Sequence, residues 1–307
     1  MALNDNIPRT VAFIIGRRVK SGVSQQTPIG TGFFLGVRIE PPSPRAATLY
    51  LVTAAHVVRA EPETWVRLRR MDGSLEDLLV PEWVVHDHAD VAIAPVELDE
   101  TGQPFDISWM PVPDFLPAGA PGRYQGEPRL RDRPMLGDRV YFIGLFSPIP
   151  AMGERNVPLV RSGTLAAWAQ ERVPVKLPDG TVLEHTAHLI DCRSYSGFSG
   201  SPCFVQFPIE PGIGGVGRPD EETELIGLVS SHFDFKENAG LTGEIAELRT
   251  VEVPIHLGVG VVMPAESIEE VLEMEEVVLE RRERERRYLL EDPGSPATAD
   301  PPNGYLS

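Results

Sequence analysis

Cysteine is nearly missing from this chain of 307 residues. Cys192 and Cys203 are the two it has, so a disulfide framework is not what holds the fold together. Both are expected to be small buried hydrophobes. Long apolar runs are also absent, and none approaches the roughly 20 residues that a membrane helix needs. The opening MALNDNIPRTVAFIIGRRVK lacks the basic start, apolar stretch and small-residue cleavage site of a secretory signal. Basic residues are scarce, 28 Lys and Arg against 45 Asp and Glu, for a net charge of −17. Such a chain repels a nucleic-acid backbone, and no basic patch stands out except a short arginine run near the end. The expectation is a soluble, cytoplasmic protein with neither a membrane nor a nucleic acid as partner.

What the chain does have is apolar residues at 42 %, together with 30 prolines and 28 glycines. That mixture suits many short strands joined by turns around a real core. Strand patterns run over Thr10–Gly16, Gly30–Ile39, Ala47–Thr53, Thr64–Arg69, Val91–Val96 and Arg139–Leu145. They resume over Gly163–Trp168, Thr186–Cys192, Cys203–Phe207, Leu225–Ser230 and Val259–Met263. Helical patterns are almost absent before residue 264, so the class is all-β, with a barrel or sandwich as the usual outcome. Segments 40–45, 114–133 and 208–222, rich in Pro, Gly and charge, are read as surface loops.

The end changes character. Pro264 opens a helix in which Ile268, Val271, Leu272, Val278 and Leu279 recur at helical spacing. Glutamates dominate to Glu280 and arginines from Arg281 to Arg287, an order that complements the helix dipole. This charge run is expected to be a solvated face, with helix 266–290 as a possible docking surface for a regulatory protein. Residues 292–307 have the composition of a disordered tail.

Three segments carry candidate chemistry, in the order His, Asp, Ser. An apolar strand runs into Thr53-Ala54-Ala55-His56, placing an imidazole at a strand end beside small residues. A serine hydroxyl needs a base with a pKa near 7, which histidine supplies. In His88-Ala89-Asp90-Val91-Ala92-Ile93 an aspartate directly precedes a buried strand. That is an expensive place for a charge unless a partner such as an imidazole N–H satisfies it. Asp87 is a rival for this role, while His86 and His88 are read as loop residues. The third segment is Ser196-Gly197-Phe198-Ser199-Gly200-Ser201-Pro202, where small residues around Ser199 permit a tight turn. The backbone N–H groups of Gly197 and Ser199 would then form an oxyanion hole.

In that order these segments resemble the trypsin/chymotrypsin-fold serine peptidases. The style is most similar to bacterial trypsin-like peptidases, including the protease domain of the high-temperature-requirement (HtrA) group. Gly30-Thr31-Gly32-Phe33 resembles an early strand element of that group, and Gly258–Pro264 the segment entering its C-terminal helix. The resemblance implies two six-stranded antiparallel β-barrels over residues 1–275, a charged extension of the C-terminal helix over 276–291 and a tail over 292–307. It implies a serine endopeptidase acting on protein or peptide substrates, with Ser199 as nucleophile, His56 as base and Asp90 as orienting acid. No metal or organic cofactor is implied. By resemblance, Val229-Ser230-Ser231-His232 is the strand that meets substrate backbone, so Ser230, Ser231 and His232 are candidate substrate-binding residues, as is Arg193 near the pocket floor. Phe198 stands where many relatives carry Asp or Asn, which speaks against activation by burial of a new N-terminus. The stretch after residue 275 is not expected to hold a PDZ domain. Two other readings stay open: a pseudoprotease that keeps the fold for binding, and a protease silent until a partner engages helix 266–290.

Overall fold

The computed structural model describes residues 7–20, 23–38, 47–59, 61, 63–98, 104–112, 134–144, 157–170, 172–176, 182–192, 197–209, 220–239 and 251–291. Two β units follow each other. The first contains β1 (Val11–Lys20), β2 (Val23–Arg38), β3 (Ala47–Thr53), β4 (Thr64–Arg69), β5 (Leu75–Val80), β6 (Val84–Val85), β7 (Ala92–Val96) and β8 (Met110–Pro111). Its strand order is β5-β4-β1-β2-β3-β7-β6, with β8 added beside β2. The second contains β9 (Arg139–Gly144), β10 (Leu159–Ala167), β13 (His188–Asp191), β14 (Pro202–Ile209), β15 (Asp220–Ala239) and β16 (Val251–Pro264). These six close into an antiparallel barrel. A separate ribbon pairs β11 (Arg172–Lys176) with β12 (Val182–Thr186).

The all-β class therefore holds, with a six-stranded second barrel. The first unit differs in detail: it has eight strands, and its end strands share no backbone ladder among the described residues. Near that gap the Trp83 Nε1–H donates to Thr64 Oγ1, at the start of β4, at 2.8 Å. Trp83 precedes β6, only two residues long, and so short a strand leaves little backbone for a ladder.

The strands form where the sequence places Val, Ile, Leu and Phe in runs. Phe33, Phe34 and Leu35 of β2, and Tyr50, Leu51 and Val52 of β3, are all fully buried, as continuous apolar runs covered on both faces should be. β4, between the edge strand β5 and β1, instead alternates buried and half-buried positions along most of its length, the pattern of a strand with one wet face. Segments 40–45 and 114–133 lie outside the described residues. The loop expected over 208–222 is shorter, because β14 and β15 pair as far as Ile209 and Asp220.

The C-terminal helix is two helices, α2 (Ala265–Leu272) and α3 (Glu275–Glu291), which corrects the continuous helix expected from 266 to 290. (The earlier short helix α1 spans Ala55–Arg59.) A continuous helix would turn Val278 and Leu279 inward with Ile268, Val271 and Leu272. The break at Glu273-Met274 shifts the phase, so Val277 is buried and Leu279 is 57 % exposed. The charge run is not simply solvated either. Arg281 and Arg284 are 11 % exposed. Arg281 Nη1 donates to the Leu272 carbonyl at 3.1 Å, satisfying an orphan acceptor at the end of α2, and Arg284 Nη2 donates to Val96 O at 2.7 Å. The tail over 292–307 lies outside the described residues.

Both cysteines are free and buried. Burial, with Asp191 nearby, pushes the Cys192 thiol up to about 11, and burial pushes Cys203 higher still, so neither carries thiolate character at neutral pH.

His188 in β13 is buried in its neutral form. Its Nδ1 accepts the Ala169 N–H at 2.9 Å and its ring also bonds the backbone of Ile226, while burial lowers its pKa from 6.5 to about 4. The unfolded chain thus binds a proton between those values that the folded chain refuses. Stability is full above pH 6.5 and falls by up to about 3 kcal/mol as pH drops toward 4. Urea unfolding across that range should show this slope in the wild type, and His188→Gln should flatten it.

Candidate active site

The site lies at the seam between the two units. β3 stays buried to Thr53, and the fully buried Ala54 and Ala55 lead into α1. His56 therefore sits in the first turn of a short helix. Its backbone N–H donates to Asp90 Oδ1 at 2.8 Å, and its Nδ1 meets Asp90 Oδ2 at 2.7 Å. Asp90 is 1 % exposed, whereas its rival Asp87 is exposed. The Ser230 hydroxyl adds a third donor, to Asp90 Oδ2 at 2.5 Å. Burial alone would push the Asp90 carboxyl up. The hydrogen bonds and charge of His56, with the Ser230 hydroxyl, outweigh it and hold the group below the usual carboxylate range. An ionised Asp90 fixes the proton of a neutral His56 on Nδ1, leaving Nε2 as a free base.

Ser230 reaches Asp90 because of a defect in the β15–β16 ladder. Val229 faces Val262 and Ser231 faces Val261, so Ser230 is the extra residue of a bulge. Bulges re-aim a side chain in this way next to functional sites. The Ser230 carbonyl accepts the Ser199 hydroxyl at 3.0 Å. Ser230 thus bonds both Asp90 and Ser199, while no hydrogen bond joins Ser199 directly to His56 among the described residues. Such contacts are often long before substrate binds.

The Ser199 turn is held from both sides. From the second barrel, Gly200 N–H donates to Val229 O at 2.7 Å and Val229 N–H donates to Ser201 O at 2.8 Å. From the first sheet, Thr31 N–H donates to Ser199 O and Thr31 Oγ1 to Gly197 O, each at 2.9 Å, while Thr53 Oγ1 donates to Thr31 O at 2.6 Å. The Phe198 carbonyl accepts the Ser201 N–H at 2.9 Å. In a trans peptide the Ser199 N–H points the opposite way, out of the turn. Gly197, at φ 104°, and Gly200, at φ 85°, both occupy the left-handed region. Phe198 points away from the cleft into the second barrel, edge-on to Phe142 with ring centroids 5.3 Å apart.

The remaining sequence candidates divide. Ser231 is half-buried on β15. His232 pairs with Gly260 through the backbone, and Arg193 lies outside the described residues. Two roles escaped the sequence reading, those of Thr31 and of Ser230, which was expected to bind substrate and instead turns its buried hydroxyl to Asp90. Thr31 was visible only as part of a glycine-rich strand motif, and the Asp90-facing turn of Ser230 has no local signal.

The chain matches the trypsin-like peptidase domain family over residues 30–206, a span that includes His56, Asp90 and Ser199. The chain belongs to that family. Among solved structures it is similar to the MamO protease domain from Magnetospirillum magneticum, with 17 % identity, a TM-score of 0.49, and coverage of 88 % of this chain and 98 % of that one. It is also similar to the HtrA-type protease AlgW with a decapeptide, with 14 % identity, a TM-score of 0.47, and coverage of 88 % and 66 %. A serine endoprotease from Yersinia pestis gives 15 % identity, a TM-score of 0.40, and coverage of 90 % and 65 %. The chain thus spans about two thirds of the length of the last two. No curated protein matches its sequence.

In this trypsin-like peptidase domain Gly200 is a position closed to any side chain. A Cβ there would lie 2.0 Å from Thr31 O and 2.3 Å from Thr53 Oγ1, at a φ that side chains disfavour. Gly200→Ala should cost more than about 3 kcal/mol, read as a lower urea midpoint, because it pushes apart the two units at the Ser199 turn.

Proposed function

We propose that this trypsin-like peptidase domain is an active serine endopeptidase that cleaves protein or peptide substrates through an acyl-enzyme. The observation that carries this reading is the buried Asp90 carboxylate bonded to His56 Nδ1 at 2.7 Å, with Ser199 held on the far side of Ser230. Rotation of the Ser199 side chain away from the Ser230 carbonyl would direct its proton to His56 Nε2. Ser199 Oγ would then attack the scissile carbonyl, and His56 would take the proton and return it to the leaving amine. Asp90 would hold the imidazole tautomer and stabilise the imidazolium. The N–H groups of Gly197 and Ser199 would bind the developing oxyanion, a contribution of about 10²–10³-fold per donor. Phe198 offers no support for the pseudoprotease reading, since it packs into the barrel core and leaves the cleft clear. The parked Ser199 hydroxyl favours a resting state as a second reading, in which a partner on helices 265–291 would promote the rotation. The peptidase unit is assigned to residues 1–275 and the location to the cytoplasm as parts of the same proposal.

A fluorophosphonate probe should label the wild type at Ser199. Ser199→Ala and His56→Ala should abolish labelling, and Asp90→Asn should slow it by about 10⁴-fold through loss of the correct tautomer. A folded wild type that resists the probe would remove the active-peptidase reading.

A further inference from the structure

The turn that carries Asp90 is organised by a second histidine. His86 Nδ1 accepts two backbone N–H groups, from His88 and from Ala89, each at 2.9 Å. The His86 N–H donates to Val91 O, also at 2.9 Å, closing the loop around Asp90. A ring nitrogen that accepts twice carries no proton, so the ring hydrogen sits on Nε2. There it meets Glu270 Oε2 at 2.7 Å. Glu270 belongs to α2, whose Ile268, Val271 and Leu272 are buried against the body of the protein. His86 is itself buried, while Glu270 is 64 % exposed. On the other side of the turn, His185 Nδ1 donates to His88 O at 2.7 Å.

We infer that His86 is a positioning residue that sets the direction of the Asp90 carboxylate, with Glu270 of the C-terminal helix selecting the tautomer that lets it do so. The inference rests on the active-peptidase reading for its catalytic consequence. The chain of contacts runs from Glu270 to the His86 ring, from that ring to the amides on either side of His88, and, one residue beyond Ala89, from Asp90 to His56. Apart from the covalent step from Ala89 to Asp90, each link is a directional hydrogen bond, and His86, Ala89 and Asp90 are buried. A change at the helix therefore alters the carboxylate without touching the reacting groups.

The amide oxygen of asparagine can replace Nδ1 as the acceptor of the two N–H groups but cannot reach Glu270. His86→Ala removes both functions. The test compares the inactivation of wild type, His86→Ala, His86→Asn and Glu270→Ala by a fluorophosphonate, separating the limiting rate from the apparent affinity. His86→Ala should lower the limiting rate by about tenfold or more with affinity within about twofold, and His86→Asn should recover most of it. Glu270→Ala should lower the rate by about threefold in the wild type and by nothing in the His86→Asn background, as coupled sites require. Equal losses in His86→Ala and His86→Asn, or none in either, would overturn the inference.

Proton NMR of the far-downfield His56 Nδ1 proton, assigned by its loss in Asp90→Asn, reads the same geometry without turnover. The signal should shift or vanish in His86→Ala and persist in His86→Asn. If the wild type resists the probe, the peptidase reading fails and this signal alone decides the positioning role. An unchanged signal in His86→Ala sinks that role even in a reactive enzyme.

Discussion

A carboxylate taken out of water must be surrounded by donors, because an uncompensated buried charge costs several kcal/mol. Asp90 is such a group, and everything at the seam is arranged to satisfy it. Its donors come from the α1 turn, through the backbone and ring of His56, and from the bulge in β15, through Ser230. The loop that presents it is stiffened by His86 and tied to the ribbon by His185. One buried charge thus draws together the first sheet and the second barrel. The pairing makes Asp90 an anion and directs the free nitrogen of His56 away from it.

The Ser199 turn obeys the same logic with neutral groups. Its carbonyl oxygens are taken up by Thr31 and Ser201, and its ends are laced to Val229. Backbone polar groups at a buried seam need partners, and using them up on one side leaves amide hydrogens directed to the other. The positive φ of Gly200 and its lack of a side chain, which would run into Thr31 O, allow the two units to approach closely enough for this lacing.

The C-terminal helices add a third layer. Arginines that look in sequence like a wet, charged surface are used instead to cap α2 and to reach the end of β7. With the Leu272 carbonyl satisfied by Arg281, the chain can break at Glu273-Met274 and restart without orphaning that group. The same helix offers Glu270 to His86, so the packing of α2 against the sheet reaches the turn around Asp90.

The local sequence determined the all-β class, most of the strands, the order of His56, Asp90 and Ser199, and the glycines that permit the Ser199 turn. These depend on side-chain type and short-range periodicity, which a linear chain displays. The eight strands of the first sheet, the broken helix and the inward arginines depend on what packs against each segment, as the burial of Val277 in place of Leu279 shows. Ser230 shows the same limit most plainly. Its place in a strand was legible, yet its turn toward Asp90 arises from one extra residue in a ladder whose partner strand lies some thirty positions away in sequence. A bulge is a mismatch between two strands, so neither strand encodes it alone. For the same reason the loop position of His86 was legible in sequence but its bond to Glu270, 184 positions later, was not.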